Sequence, residues 1–486
     1  MRTLNNLQFD NTYTRLPDAF HQRVQPTPVP SPYLVAFNPD AAQLLDLDPS
    51  IAQSPEFVEA FAGNRLLPGS DPVAMKYAGH QFGSYVPQLG DGRAILLGEV
   101  RNQAGEKWDL HLKGAGKTAF SRFGDGRAVL RSSIREYLAS EAMHALGVPT
   151  TRALCVIGTD LEIYREGVET GALVLRMAPS HVRFGSFEVF AHREQFDRVQ
   201  QLADYTIEQC YPHLKERKDR YVAFLKEVTE RTARLAAHWQ AVGFAHGVLN
   251  TDNMSILGIT LDYGPYGFME DFDPGFICNH SDEGGRYAFD QQPRIAYWNL
   301  SALAQSLLSL MSVDDAKAAL NVYPDVFNGH MHRLMCAKLG LTSVVEEDMP
   351  LWTSLLDLLA EGRVDYTMFF RKLGNFATGI RNERLRGLFA TLAKIDEWAE
   401  RYRERLERED SNDSDRKSRM DRVNPKFILR NYLAQIAIQK ADLKDYSEVD
   451  RLRGVLRFPF DEQPEMEHYA KPAPEWGKRL VVSCSS

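Results

Sequence analysis

The apolar residues of this chain change their period once, near residue 180, and that change limits what the chain can fold into. Between about 72 and 178 apolar and polar positions alternate in short runs. Trp108, Leu110 and Leu112 are set against Asp109, His111 and Lys113. A period of two predicts a strand with one buried face, which turns Lys113 away from the Trp/Leu side. Ala94 to Val100, Ala153 to Gly158 and Ala172 to Met177 read as further short strands. A helix from Ser133 to Leu146, stopped by Gly147 and Pro149, is inserted among them. After 180 the spacing becomes three and four, over Glu194 to Cys210 and Tyr221 to Ala241, which predicts amphipathic helices. Loops are expected at 243–253 and 262–285, around an apolar run at 254–261 suited to a strand pair. From about 295 the chain reads as mostly helical; Arg401 to Arg408 is charged on all sides and 411–415 (SNDSD) reads as a surface loop.

Before residue 72 the texture is different. Pro26, Pro28, Pro30 and Pro32 each fix φ and remove a donor, so residues 1–71 read as an extended arm over a neighbouring domain. The expected order is therefore an arm (1–71), a β-rich unit (72–178), a helical unit (179–345) and a helical extension (346–486).

Charge and cysteine usage exclude several classes. With 57 Lys and Arg against 65 Asp and Glu, the net charge is −8. Broad nucleic-acid binding, which needs basic surface to displace counterions, is not expected; a local phosphate pocket is allowed. No apolar run reaches the ~18–20 residues of a membrane span, and the N-terminus has no signal-like core, so a cytoplasmic protein is expected. Five cysteines without a C-x-x-C make neither a disulfide scaffold nor a zinc knuckle. Lys113-Gly-Ala-Gly116-Lys117-Thr118 imitates a P-loop, but His111 stands where the first glycine belongs. His330, His332 and Cys336 are spaced loosely like metal ligands and read instead as helix packing and surface.

Three stretches carry chemistry. Gly90-Asp-Gly-Arg-Ala94 recurs as Gly124-Asp-Gly-Arg-Ala128, and two glycines around a turn let N–H groups converge on an anion beside an arginine fork. Two ordinary Asp-Gly turns are the plainer reading. His246 and Asn253 stand seven residues apart, followed by Asp262-Tyr-Gly264, a pattern resembling the catalytic loop and D-F-G of protein kinases. An amide oxygen and a carboxylate are hard ligands for a divalent cation on nucleotide phosphates. Val248 occupies the place of the kinase catalytic aspartate, leaving Asp252 as the nearest carboxylate. Upstream lie the strand lysine Lys113 and the helix glutamate Glu136, in the order a kinase-like small lobe requires. Each has a plainer reading: a solvated lysine, and a capping box between Ser133 and Glu136. Arg176 and Arg183 are candidates for a phosphate clamp or for ordinary ion pairs.

The strings Tyr77-Ala-Gly-His-Gln-Phe-Gly83, Pro87-Gln-Leu-Gly-Asp-Gly-Arg-Ala94, His246-Gly-Val-Leu-Asn-Thr-Asp-Asn253, Asn424-Pro-Lys-Phe-Ile-Leu-Arg-Asn-Tyr432 and Ser483-Cys-Ser-Ser together closely resemble the selenoprotein O family, across nearly the whole chain. The resemblance implies an α+β, bilobal, protein-kinase-like (pseudokinase) fold. It implies a protein adenylyltransferase that holds ATP flipped and passes AMP to Ser, Thr or Tyr hydroxyls of protein substrates, itself included. UMP transfer with Mn²⁺ is also linked to bacterial members. On matching positions, Gly90, Gly92, Arg93, Lys113, Asp125, Gly126, Arg176, Arg183 and Asp262 would hold the nucleotide, with Glu136 pairing Lys113. Asn253 and Asp262 would bind Mg²⁺ or Mn²⁺, and Asp252 would accept the proton. The same likeness pairs Cys484 with Cys278 in a regulatory disulfide open to reductants such as thioredoxin or glutaredoxin, with redox-homeostasis proteins among the expected protein substrates. The readings that compete are a kinase-like phosphotransferase for small molecules and an inactive nucleotide-binding scaffold.

Overall fold

The computed structural model describes residues 1–483 and is a mixed α/β chain, a sheet-bearing half followed by a helical one. Eleven strands precede the helical half: β1 Gln8–Phe9, β2 His21–Arg23, β3 Tyr33–Phe37, β4 Val73–Met75, β5 Gly79–Gln81, β6 Ser84–Val86, β7 Ala94–Arg101, β8 Lys107–Lys113, β9 Ala128–Val129, β10 Arg152–Tyr164 and β11 Val168–Ala178. Nine of them form one sheet in the order β2-β4-β7-β8-β11-β10-β3, with β1 on β7 and β9 on β11; β5 and β6 form a separate hairpin.

Residues 1–71 are not the plain arm that their prolines suggest. They supply both edge strands of the sheet, β2 and β3, and two short helices, α1 Pro39–Gln43 and α2 Pro55–Phe61. Leu4, Leu45, Phe57 and Phe61 pack on Leu110, Leu112, Leu175 and Met177, so this segment covers the outer sheet face. Strand β8 therefore has two buried faces rather than one. Asp109, His111 and Lys113, opposite the apolar set, are buried as well. Antiparallel pairing sets Lys113 beside Val174 and His111 beside Arg176, so the polar residues of β8 and Arg176 share the inner face. Helix α3, Leu130–Ala145, starts one turn earlier than expected and packs against β10 and β11.

The helical half begins with α4 Phe184–Ala191, α5 Phe196–Cys210 and α6 Arg220–Val242, and α6 ends on Gly243 in the left-handed region. The apolar run at 254–261 forms no extended strands; it closes on itself through a single antiparallel bridge between Met254 and Thr260. The pairing there joins β12 Phe244–Ala245 to β13 Gly267–Phe268, on either side of the Asp262 loop. Phe244 makes ring contacts with His246, Tyr263, Tyr266 and Phe268, which anchors both ends of that loop. Helices α7 Gln292–Ser306, α8 Val313–Leu320, α9 Tyr323–Lys338, α10 Met349–Gly362 and α11 Tyr366–Leu373 follow. The charged 401–408 segment ends a helix that buries Tyr402, Arg405 and Leu406. The expected loop at 411–415 opens another helix, because Asn412 Oδ1 accepts from Ser414 N and Asp415 N as an N-cap. Among the described residues no helix is long and apolar enough to cross a membrane.

Lys338, at the end of α9, is buried with its ammonium 4.2 Å from the Phe370 ring centre and 5.2 Å from that of Tyr366. Burial pushes its pKa down from 10.5 to about 7. The unfolded chain then binds the extra proton between these values, so stability rises with pH from about 7 to 10.5. Lys338→Met removes a penalty that is complete below the lower value and gone above the upper one. The variant should gain on the order of 3 kcal/mol in urea unfolding at pH 7 and almost nothing near pH 10. An equal gain at both values would refute the buried ammonium.

Candidate active site between the sheet and the helices

Every nucleotide- and metal-site candidate from the sequence except Glu136 lines one cleft of about 600 Å³, and Glu136 lies directly beneath it. Lys113 Nζ donates to Glu136 Oε2 at 2.5 Å, both side chains buried. The capping-box reading of Glu136 falls, because α3 starts at Val129–Leu130 and Ser133 Oγ has no hydrogen-bond partner among the described residues. Arg176 reaches the other Glu136 oxygen at 3.4 Å.

The electrostatic centre is Asp262. Arg176 donates to one of its carboxylate oxygens and Arg183 to the other. Burial alone would raise the Asp262 pKa, but the guanidinium of Arg183, then that of Arg176, outweigh it and hold it well below 3.8. Burial likewise opposes the charge on both arginines, and Asp262 overcomes it, holding each above its ordinary pKa. Arg183 also donates to the Asp252 backbone carbonyl at 2.7 Å and lies over the Tyr77 ring at 4.8 Å. Asp262 sits at φ +59°, a left-handed conformation that aspartate tolerates better than most residues.

Asp252 has the opposite environment. Burial pushes its carboxyl up to about 7 against the pull of Arg183, and Gln81 Nε2 donates to it at 3.3 Å. Its Oδ1 is buried with no hydrogen-bond partner among the described residues. Asn253 Nδ2 donates to the Val248 carbonyl at 3.0 Å, which commits its NH₂ group and leaves the amide oxygen for the cleft. His246 is structural: Nε2 meets the Leu261 carbonyl at 2.9 Å, tying the loop to the residue before Asp262. The donors offered here (the Asn253 amide oxygen and the Asp262 carboxylate) are hard oxygens and fit a magnesium- or manganese-type cation.

Both Gly-Asp-Gly-Arg segments line the cleft. Their aspartates are anchors: Asp91 Oδ2 takes Met75 N at 3.0 Å and His111 Nε2 at 2.9 Å, and Asp125 takes a bidentate Arg165. Gly126 has φ +72°, and a Cβ there would lie 2.2 Å from the Gly116 backbone, so only glycine lets the loops meet. Arg93, Arg122, Arg127 and Arg165 also line the cleft.

Sequence reasoning missed the β5–β6 hairpin, which stitches the two halves together. His80 N donates to Thr251 Oγ1 at 2.7 Å, and Phe82 N donates to Asn250 Oδ1 at 3.2 Å and Tyr287 Oη at 2.9 Å. Phe82 and Gly83 both have positive φ, as a tight two-residue hairpin turn demands. The signal was the Gly-His-Gln-Phe-Gly run, whose glycine-flanked turn is readable but whose docking target is not. Cys278 is buried, with Sγ 3.0 Å from the Pro265 carbonyl and 3.4 Å from that of Ala245; Cys484 lies outside the described residues.

The sequence model of the family described as Protein adenylyltransferase SelO matches residues 3–457. Proteins named Protein nucleotidyltransferase YdiU are 59% identical in Myxococcus xanthus, 60% in Thiobacillus denitrificans and 54% in Pseudomonas fluorescens, each match covering all of both chains. The cleft and these likenesses together define a nucleotidyltransferase. The chain belongs to the SelO family of protein adenylyltransferases.

Asp262→Asn leaves two buried guanidinium groups sharing a neutral amide. Removing one partner of a buried charge pair is costly, so the metal-free variant should lose about 3 kcal/mol in denaturant unfolding. An unchanged midpoint would show that Asp262 does not hold the arginines.

Proposed function

We propose that the chain transfers AMP from ATP to Ser, Thr or Tyr hydroxyls of proteins, in a kinase-like cleft that holds the nucleotide flipped. The observation that carries the reading is the split between two carboxylates, Asp262 strongly ionised among cations and Asp252 poised near neutrality. In this reading Gly90, Gly92, Arg93, Asp125 and Gly126 build the loops around the nucleotide. Lys113, held by Glu136, and Arg176 and Arg183, released from Asp262, meet phosphate oxygens. Asn253 and Asp262 hold Mg²⁺ or Mn²⁺, which when bound neutralises charge on those oxygens. Asp252 accepts the proton of the substrate hydroxyl as its oxygen bonds to the α-phosphorus, and the bond to the β-phosphate bridging oxygen breaks to release pyrophosphate. Val248, apolar, has no part in proton transfer. UTP with Mn²⁺ would use the same phosphate contacts.

Incubation with α-³²P-ATP or γ-³²P-ATP and Mg²⁺ or Mn²⁺ tests this, with the chain as its own first acceptor. Protein label should come from the α position alone and disappear in Asp252→Ala. Label from γ would establish phosphotransfer instead, and no label from either, with lysate proteins present, would favour a nucleotide-binding scaffold.

The tail bears on regulation. His280 N donates to the Val482 carbonyl at 2.9 Å, so Val482, two residues before Cys484, lies beside the loop that carries Cys278. A disulfide between Cys278 and Cys484 would pin that loop against the cleft, which supports a redox brake. Oxidised wild-type protein should label several-fold more slowly than reduced protein, and Cys484→Ser should label equally under both conditions. Identical oxidant sensitivity in the variant would remove the disulfide from the account.

A further inference from the structure

Outside the cleft, on the far side of the β5–β6 hairpin, His80, Glu188 and His192 converge. One donor atom from each lies within 4.8 Å of the other two. His80 Nδ1 is 2.5 Å from Glu188 Oε2. Glu188 is fully buried on α4, and its second oxygen, Oε1, has no hydrogen-bond partner among the described residues. His192 follows α4 and is exposed, and no hydrogen bond among the described residues engages its ring. Aromatic neighbours flank both imidazoles: Tyr85 stacks on His192 at 3.8 Å, and Trp298 meets His80 edge-on at 5.2 Å.

A lone His–Glu hydrogen bond explains Oε2 but not the buried, unpartnered Oε1, nor the second imidazole turned toward the same point. The His330, His332 and Cys336 spacing is different: His332 is spent on the Val345 carbonyl and Trp352 Nε1, leaving no ring nitrogen over, and His330 Nε2 meets His238 Nε2 at 3.1 Å. Two imidazole nitrogens and a carboxylate with one side open to solvent make a zinc-type donor set; magnesium and calcium prefer all-oxygen sites. Donors on one tetrahedral zinc stand about 3.3 Å apart, given bonds of about 2.0–2.1 Å. His80 and Glu188 must therefore part by less than an ångström, and the exposed His192 ring must close in by a small side-chain rotation.

We infer that His80, Glu188 and His192 form a binding site for a zinc-type divalent transition metal that fastens the β5–β6 hairpin to α4. Through that hairpin the ion acts on the cleft, since the next residue, Gln81, is the side chain that donates to Asp252 and Phe82 N reaches Asn250. The site stands apart from the cleft's own cation and does not depend on which group the cleft transfers.

The test uses untagged, metal-stripped full-length protein, titrated with Co²⁺ as a visible-absorbing probe and then with Zn²⁺ as competitor. Wild type should show one Co²⁺ nitrogen-ligand absorption band that Zn²⁺ abolishes, and Asp262→Asn, which removes a ligand of the cleft's own cation, should keep that band. His192→Ala, a substitution at an exposed position, should weaken Zn²⁺ binding at least about tenfold. Zn²⁺ should raise the thermal unfolding midpoint of wild type and not of this variant. Equal Zn²⁺ affinity in wild type and His192→Ala, or no Zn²⁺ binding by wild type, overturns the site.

Discussion

Two buried arginines share one carboxylate, and the rest of the site is arranged around that bond. Arg176 comes from the central strand β11, Arg183 from the N-terminal boundary of α4, and Asp262 from the loop between β12 and β13. The sheet and the helical half are thus joined through a charge cluster rather than through apolar packing at this point. Buried guanidinium groups cannot be left without an anion, since each would carry the full desolvation penalty. Asp262 supplies that anion while no phosphate is present. In the proposed reaction, polyphosphate entering the cleft would offer the arginines a second anion and free Asp262 for a cation. One carboxylate can in this way stabilise the empty cleft and serve the loaded one.

That cluster puts buried polar residues among the apolar side chains of the inner sheet face, which makes apolar cover of the outer face the more necessary. The N-terminal segment provides that cover. By laying α1, α2 and the edge strands over Leu110, Leu112, Leu175 and Met177, it supplies the apolar burial that the inner face gives up to Lys113, His111 and Arg176. Covering both edges with β2 and β3 also leaves the central strands no unpaired backbone.

Legibility in the sequence followed distance along the chain. The alternation in β8, the helix after it and the His246–Asn253–Asp262 spacing are local patterns, and they placed Lys113, Glu136, Asn253 and Asp262 near one another through motif order. Proline spacing at 26–32 says only that no helix forms there; which strand Tyr33–Phe37 pairs with is decided by β10, more than a hundred residues later. Alternation in β8 likewise could not reveal that its polar face is buried, because the burying groups, among them His181 and Asp262, lie on other elements. The hairpin at 79–86 was visible as a turn and opaque as a bridge, since its partners Asn250, Thr251 and Asp252 lie some 170 residues away.

Asp252 and Asp262 stand ten residues apart on the same rim, and residue type alone cannot distinguish their work. Their surroundings can. Asp262 faces two guanidinium groups and Lys113, so its negative charge is nearly permanent, which suits a ligand or counter-ion and makes it a poor proton acceptor. Asp252 lies among Gln81, the hairpin backbone and one arginine directed at its carbonyl rather than its carboxylate, so the proton is held near neutral pH. A carboxylate that gains and loses its proton near the working pH is the one suited to take a hydroxyl proton during transfer. In the proposed reaction the same asymmetry would explain why the apolar Val248 is tolerated at the position where kinases place their base: proton acceptance would fall to Asp252, whose basicity is raised by burial.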